Sequence, residues 1–569
     1  MEDSIRALKL RHNALLPVSS LPPEVFAPIF SLLCSLGASS RRGRLDNHLA
    51  RLCVSHVCHQ WREIALNLPL LWSHVDFTTL SLEGVAEILV RAKSVPLYLD
   101  ASVCPHHWDK IRFRTLQNKL QARVPYIRHL RTSAEFTIVL CTILEGLVSP
   151  APTLEYLSLS SYSTAYERGM GECVSIPDTL FDGFTPRLSC LELRNCDISW
   201  NSPFLKGLTY LEILTPSAHA IPKLTVWLDA LDEMPQLKTL ILHKATPIAP
   251  PFPFDIQRTV SLPYLTRLDV LASPGDCAFA LAHLDLLALT CLCLTAISYF
   301  IRSSADEQNL LPYIARHSHG PQDVQPLQSV LICTGPNHAD IFAWPVPDFD
   351  VQVHDLPTLL ATTVPTHVAL SFKIESWLLM EFLADERINI LYTVMAGLPL
   401  ENLVTLAAHD LSSYKKRDFP MSHFWSLLSP KWTFLRRVRL GHLAAQGLVV
   451  MLQKDKGERK RPLLPSLREI VMVGFSLYPI AISSLCNAFM KRMEQGAPLA
   501  MLDLCMCDLL PDVYKEDWLR SLSEIAVKVL GPEENPEVRD QMQAMWEPVA
   551  CGSFRIVDNE FNHLATGDY

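Results

Sequence analysis

Apolar residues recur along most of this chain in one short pattern, apolar-x-x-apolar-x-apolar, filled eleven times. The series begins Leu154-Leu157-Leu159, Leu188-Leu191-Leu193 and Leu208-Leu211-Ile213. It continues through Leu237-Leu240-Leu242, Leu265-Leu268-Val270, Leu289-Leu292-Leu294, Leu327-Val330-Ile332 and Leu403-Leu406-Ala408. Leu435-Val438-Leu440, Leu467-Ile470-Met472 and Leu499-Leu502-Leu504 close it. From Leu403 onward the first positions are spaced 32, 32 and 32; between Leu154 and Leu327 the intervals are 34, 20, 29, 28, 24 and 38. The early units therefore carry insertions, a degraded unit falls at Leu370-x-Phe372, and the pattern does not fix the register between Ile332 and Leu403. The last two slots are separated by one residue, so they share one face of a short strand, with the first slot packing nearby. No such strand buries its apolar face alone, whereas a stack of neighbours does.

Helical spacing appears between these strands. Leu224, Trp227, Leu228 and Leu231 predict an amphipathic helix over 224–234, on the outer side of the stack. Trp518, Leu519, Leu522, Ile525, Ala526 and Val529 form a second stripe, read as a helix capping the carboxy-terminal end. The triplets resemble the leucine-rich repeat, whose motif runs on, after two further residues, to an Asn or Cys bonding the backbone at the turn. Cys196 and Cys507 occupy that slot. The resemblance implies a solenoid with inner strands and outer helices.

The amino-terminal segment has a different periodicity. Leu21-Pro22-Pro23-Glu24 opens a helix, since prolines suit a first turn and Glu24 complements the helix dipole. After a polar, arginine-rich break at Ser39 to Arg44, the residues Leu49, Leu52, Cys53, His56, Val57, Trp61 and Ile64 fall on one helical face. A helix over Leu82 to Lys93 and a strand over Val95 to Leu99 follow. Leu21-Pro22-Pro23-Glu24, Ile29-Phe30, Val57-Cys58-x-x-Trp61-Arg62, Ile64-Ala65 and Pro69-x-Leu71-Trp72-Ser73 together resemble the F-box, in the form found in fungal F-box proteins. Pro28 inside the first helix departs from that pattern, because it removes one backbone hydrogen bond.

F-box proteins are substrate receptors of SCF-type ubiquitin ligases, inserting the F-box into a Skp-type adaptor that leads to a cullin. The resemblance implies adaptor-facing roles for Leu21, Pro22, Pro23, Ile29, Phe30, Val57, Cys58 and Trp61. Residues 1–62 hold eight Lys+Arg and four acids, net +4, on a chain of net charge -9, which suits an acidic partner at that end. The x residues of the triplets would face a protein substrate, with Glu155, Glu192, Glu212, Asp269, Arg439 and Asp503 as candidates.

Composition narrows the alternatives. Of 569 residues only 20 are glycine, which leaves little material for phosphate-cradling loops. Sixteen cysteines without a regular framework and no Asn-x-Ser/Thr acceptor point to a reducing compartment, cytoplasmic or nuclear. Ile470 to Met490 carries no charge, but Gly474, Pro479 and three serines make it a strand, turn and buried helix rather than a membrane span. The basic run Lys454 to Arg461 lacks interleaved aromatics, so it reads as a solvated loop and not a nucleic-acid site. Neither G-x-x-x-x-G-K-S/T, H-E-x-x-H nor G-x-S-x-G occurs. His56-x-Cys58-His59 and Cys104-Pro105-His106-His107 lack the paired half-sites that zinc requires, and Cys291-x-Cys293 and Cys505-x-Cys507 read as strand thiols.

The expected fold is α/β: a tail over 1–17, a small all-α F-box over 18–75, a helix-strand linker over 76–125, an irregular leucine-rich-repeat solenoid over 126–531 and a tail over 532–569. The expected protein is a non-catalytic receptor with no cofactor or metal, binding a Skp-type adaptor and a protein substrate but neither nucleic acid nor membrane. The alternatives are a leucine-rich scaffold without a ligase and an enzyme with a non-local site.

Overall fold

A computed structural model describes residues 2–35, 53–77, 80–101, 120–134, 137–162, 173–298, 305–318, 326–334, 338–347, 370–376, 394–410, 425, 429–454, 463–477, 479–509, 520, 522–523 and 526–530. The chain divides into two compact units, Met1–Ala245 and Thr246–Tyr569.

In the first unit the helical head is followed by parallel strands β1 (His74–Asp76), β2 (Leu97–Asp100), β3 (Ile127–Ala134), β4 (Tyr156–Ser161), β5 (Cys190–Arg194), β6 (Tyr210–Leu214) and β7 (Thr239–His243), each paired with the next. The apolar slots align across them. Leu130, Leu157, Leu191, Leu211 and Leu240 form one in-register column, and Thr132, Leu159, Leu193, Ile213 and Leu242 a second. Every one of these side chains is buried.

The second unit continues the same scheme with a reversal inside it. Strand β8 (Arg267–Ala272) pairs parallel with β9 (Cys291–Ser298). The neighbour of β9 is then not β10 (Ser329–Thr334) but β12 (Leu370–Ser376), in parallel register Leu292 to Leu370 and Leu294 to Phe372. Strand β11 (His338–Trp344) lies antiparallel to both β12 and β10, and β10 pairs parallel with β13 (Thr405–Asp410). The unit read at Leu370-x-Phe372 thus precedes Leu327-Val330-Ile332 in space although it follows it in sequence. Parallel order resumes through β14 (Arg437–Gly441), β15 (Glu469–Leu477), β16 (Leu499–Leu509) and β17 (Ala526–Leu530).

Strand β17 corrects the end of the expected terminal helix, at Ala526 and Val529, whereas Leu522 is helical. Ala526 pairs with Leu499 and Val529 with Leu502, so these residues extend the sheet. Two β-branched valines at alternate positions suit a strand, and the open edge of β16 supplies its backbone partners. Trp518, Leu519 and Ile525 lie outside the described residues.

A backbone feature recurs from strand to strand. At eight of the eleven triplets the carbonyl of the residue after the first slot accepts from two consecutive N–H groups of the next strand in the stack. Glu155, Ser189, Thr209, Thr266, Gln328, Val404, Arg436 and Arg468 do so, at 2.8–3.2 Å. A further apolar position, not read from the sequence, lies three residues before the first slot: Ala151, Leu205, Met234, Leu262, Leu400, Trp432 and Leu464 are all buried there. At Leu154, Leu237, Leu265, Leu403, Leu435 and Leu467 the slot amide bonds back to that residue's carbonyl. Cys196 Sγ reaches the carbonyl of Leu159 at 3.7 Å and Cys507 Sγ that of Met472 at 3.3 Å, each a third-slot residue of the preceding strand.

The connections are less uniform than expected. Helices Thr137–Glu145, Leu224–Asp232, Pro274–Ala282, Ala305–Ser318, His442–Lys454 and Pro479–Glu494 join strands, whereas Leu180–Gly183 and Pro203–Leu205 are 3-10 turns. Residues 470–477 form the end of β15 and residues 479–490 lie in the helix from Pro479, as expected, and no helix among the described residues is long and apolar enough to cross a membrane. Residues 455–462 of the basic run and the tail after 531 lie outside the described residues.

The helix from Pro479 is tied to the neighbouring strand by one buried cation. Arg492 donates to the carbonyls of Leu463, Leu464 at 2.6 Å and Leu467 at 3.2 Å, around the turn that enters β15. Burial, with the charge of Arg468, lowers its pKa to about 10, still charged at neutral pH. Arg492→Ala leaves those carbonyls without their donor and is expected to cost about 2–4 kcal/mol, read as a lower Tm and faster proteolysis of the full chain.

Candidate functional site

The head is built on helix α2 (Pro23–Ser35), which follows α1 (Glu2–Ala14). Pro23 takes the first helical position and Glu24 lies in the first turn. The helix runs through Pro28, which is exposed and so leaves the unpaired backbone acceptor within reach of water. Two apolar faces result. Phe26 and Phe30 are fully buried, with rings 5.6 Å apart, and each meets Trp61, at 5.5 and 5.2 Å. Val25, Ile29 and Leu32, spaced i, i+4 and i+7, are exposed at 38%, 37% and 59%. At 100° per residue these three fall within roughly 60° of one another. One helix therefore packs a core with one side and offers aliphatic side chains to solvent with another.

Trp61 comes from helix α3 (His59–Leu66). The single helical face expected over 49–64 is broken at Val57 and Cys58. Cys58 is extended, at φ -156° and ψ 173°, and its Sγ accepts from the Trp61 amide at 3.5 Å, so the residue caps α3. A capping side chain satisfies one of the free amides of a first turn, which favours starting a new helix there. Gln60 Nε2 donates to the Ser19 carbonyl at 3.4 Å, tying α3 to the segment before Leu21. The block closes on Trp72, buried, whose Nε1 donates to the Ala65 carbonyl at 2.8 Å while Arg91, from helix α4 (Leu82–Arg91), lies 4.8 Å from its ring.

The expected adaptor-facing residues divide by exposure. Pro22, Pro23, Ile29 and Val57 are exposed, and Leu21, Cys58 and Trp61 are half-buried. Phe30 is placed in the core, because its ring completes the cluster with Phe26 and Trp61. Sequence reasoning passed over Val25 and Leu32, and also Leu15, Leu16, Val18 and Leu70, all exposed. The signal for the first two was present: Val25, Ile29 and Leu32 repeat at helical spacing on a face turned about 100° from Phe26 and Phe30.

The six candidate substrate-facing positions are all half-buried; Glu192, Glu212, Asp269, Arg439 and Asp503 lie on the strand face opposite the leucine columns, and Glu155 directly precedes β4. In the first unit that face carries a ring stack across four strands. His74 and Tyr98 stack at 4.4 Å, Tyr98 and His129 at 4.7 Å, and His129 and Tyr156 at 5.4 Å. Burial and the neighbouring Arg128 charge hold the His129 imidazole below the usual histidine range, although Glu155 acts against them. Glu155 pairs with Arg128 at 2.8 Å; in the second unit Arg267 meets Asp269 at 3.4 Å.

The metal candidates gain no support. Among the described residues no group of three His, Cys, Asp or Glu side chains could hold an ion. Cys58 caps α3, His59 lies 3.7 Å from Glu63, and Cys104 to His107 lie outside the described residues. Cys291 and Cys293 are buried on β9 with sulfurs 3.6 Å apart, as alternate residues of one strand face.

Comparison with known families adds one match. An F-box-like family model matches residues 18–78, the span from the turn before Leu21 to the end of β1. This head is an F-box-like domain. No curated protein matches the chain.

The two faces of α2 predict opposite outcomes for neighbouring substitutions in this F-box-like domain. Phe30→Ala removes a fully buried ring and is expected to cost about 3–5 kcal/mol, whereas Ile29→Ala at an exposed position costs less than about 1 kcal/mol. Chemical denaturation of the two variants, followed by Trp fluorescence, measures the difference.

Proposed function

We propose that the protein is the non-catalytic substrate receptor of an SCF-type ubiquitin ligase. Its F-box-like domain binds a Skp-type adaptor and, through it, a cullin. Its strands, read as an irregular leucine-rich-repeat solenoid behind an F-box of the fungal type, bind a protein substrate in the cytoplasm or nucleus. The observation that carries this reading is the outward face of α2. Val25, Ile29 and Leu32 stand exposed on a helix whose opposite side is already packed, within the span that matches the F-box-like family. A small domain gains nothing in stability from aliphatic side chains held in water, whereas a partner's groove gains about 25 cal/mol per Å² of apolar surface covered.

In this reading the receptor supplies position and the ligase's other subunits supply the transfer chemistry. The join between head and sheet suits that role. Ser73, directly after the buried Trp72, accepts from the Tyr98 amide at 2.9 Å, and the next residue begins β1. The head therefore passes into the first strand without an intervening linker, and a substrate on the strands of this unit would be held at a fixed distance from the adaptor.

Co-expression with a Skp-type adaptor tests the reading. Wild type is expected to co-purify at one to one, and Val25→Asp/Ile29→Asp/Leu32→Asp, which alters exposed positions alone, to lose about 100-fold or more in affinity, roughly 2.7 kcal/mol, with an unchanged Tm. Pro22→Ala/Val57→Asp provides a second variant on exposed residues. A wild-type chain that binds no adaptor contradicts the receptor role and favours a leucine-rich scaffold without a ligase.

A further inference from the structure

The strand face of the first unit carries a like-charge pair that stability does not explain. Glu192 on β5 and Glu212 on β6 are direct register partners on adjacent parallel strands. Side chains so placed are about 5 Å apart at their origins, and like charges there are destabilising. Among the described residues no Lys or Arg pairs with either. Each instead accepts a tyrosine hydroxyl, Tyr156 to Glu192 and Tyr210 to Glu212, both at 2.6 Å. One oxygen of each carboxylate is thereby fixed in direction. The negative field is felt by Cys190, two residues before Glu192 on β5, whose thiol is pushed up to about 12 by burial first and by Glu192 and Glu212 next.

Two further observations lie on the same face. Tyr156, which holds Glu192, is also the last ring of the His74, Tyr98, His129 and Tyr156 stack. Ser160, four residues along β4 from Tyr156 and therefore on its side of the sheet, is nine-tenths buried, and its Oγ has no hydrogen-bond partner among the described residues. An unpaired hydroxyl, a fixed carboxylate pair and a row of ring edges together ask for a flat cation rich in donors. Guanidinium meets that description: it binds carboxylate oxygens through parallel N–H groups and lies against aromatic rings, whereas an ammonium offers a compact charge alone.

We propose that this face takes an arginine-bearing segment of the substrate protein, its guanidinium bonded to Glu192 and Glu212 and packed against the Tyr156 end of the ring stack. The inference rests on the receptor reading for the word substrate, but the binding chemistry does not require the adaptor. Arg194, two residues along β5 from Glu192 and in register with Ser160, and Arg131, two strands away on β3, set the sides from which a second positive charge is disfavoured.

The test uses the full chain and two probes of equal charge, tetra-arginine amide and tetra-lysine amide, titrated at about physiological ionic strength so that diffuse attraction is screened. The arginine peptide is expected to bind at least about tenfold more tightly than the lysine peptide. Glu192→Gln/Glu212→Gln keeps the acceptors for both tyrosines and is expected to weaken the arginine peptide by at least about tenfold. Glu401→Gln/Glu494→Gln, which removes the same charge elsewhere, is expected to change it less than about twofold. Equal affinity for the two peptides, no binding of the arginine peptide, or an unchanged affinity in the first variant overturns the proposal. Adaptor co-purification of that variant, run in parallel, keeps the two claims apart: retained adaptor with unchanged preference for the arginine peptide sinks this inference and leaves the receptor reading standing.

Discussion

One backbone carbonyl accepting two amides of the strand beside it ties neighbouring strands together at eight of the eleven triplets. The bond involves no side chain, so the residue that supplies it varies freely: glutamate at 155, serine at 189, threonine at 209 and arginine at 468 do the same work. What the sequence must provide is an apolar filling behind each such bond. The leucine columns do this, with Leu157, Leu191, Leu211 and Leu240 in register in one unit and Leu406, Val438, Ile470 and Leu502 in the other. Because the filling and the backbone bond settle the geometry, the residues on the opposite face are released from structural duty. That release lets the face carry a ring stack and a like-charge pair.

The same division of labour governs the head. Phe26, Phe30 and Trp72 occupy the interior, with the half-buried Trp61 packed on the two phenylalanines, and each buried aromatic removes a large apolar area from water. With the core satisfied from one side of α2, the aliphatic residues on the other side add nothing to the fold. They are what an F-box-like domain has available for a partner. On the proposed receptor reading, stability and recognition are separated by a rotation about one helix axis, so that neighbouring residues such as Ile29 and Phe30 serve different ends.

Much of this was legible in the residues, and the failures have physical causes. The three-slot triplet, read as period two plus an offset, located the strands because burial demands that spacing. The fourth apolar position was equally visible at Leu262, Leu400, Trp432 and Leu464, but a template of three slots does not ask for it. The inverted order of β12, β11 and β10 was illegible: it arises from an antiparallel strand inserted between two parallel ones, a tertiary choice that leaves no local mark. Ala526 and Val529 satisfy helical and strand spacing alike, and the free edge of β16 decided between them. In the head, the break at Cys58 escaped notice because cysteine is a rare cap, and Phe30 was assigned outward because motif position says nothing about which side of a helix a residue takes.

The central claim is that α2 and α3 of the F-box-like domain are the partner-binding surface while the strands remain available. Hydrogen–deuterium exchange of the full chain with and without a Skp-type adaptor tests it most directly, because exchange reports each segment separately. The account predicts added protection over residues 21–35 and 53–66 and unchanged exchange over 190–214. Protection of the strand segment with none in the head, or no change anywhere, would contradict it.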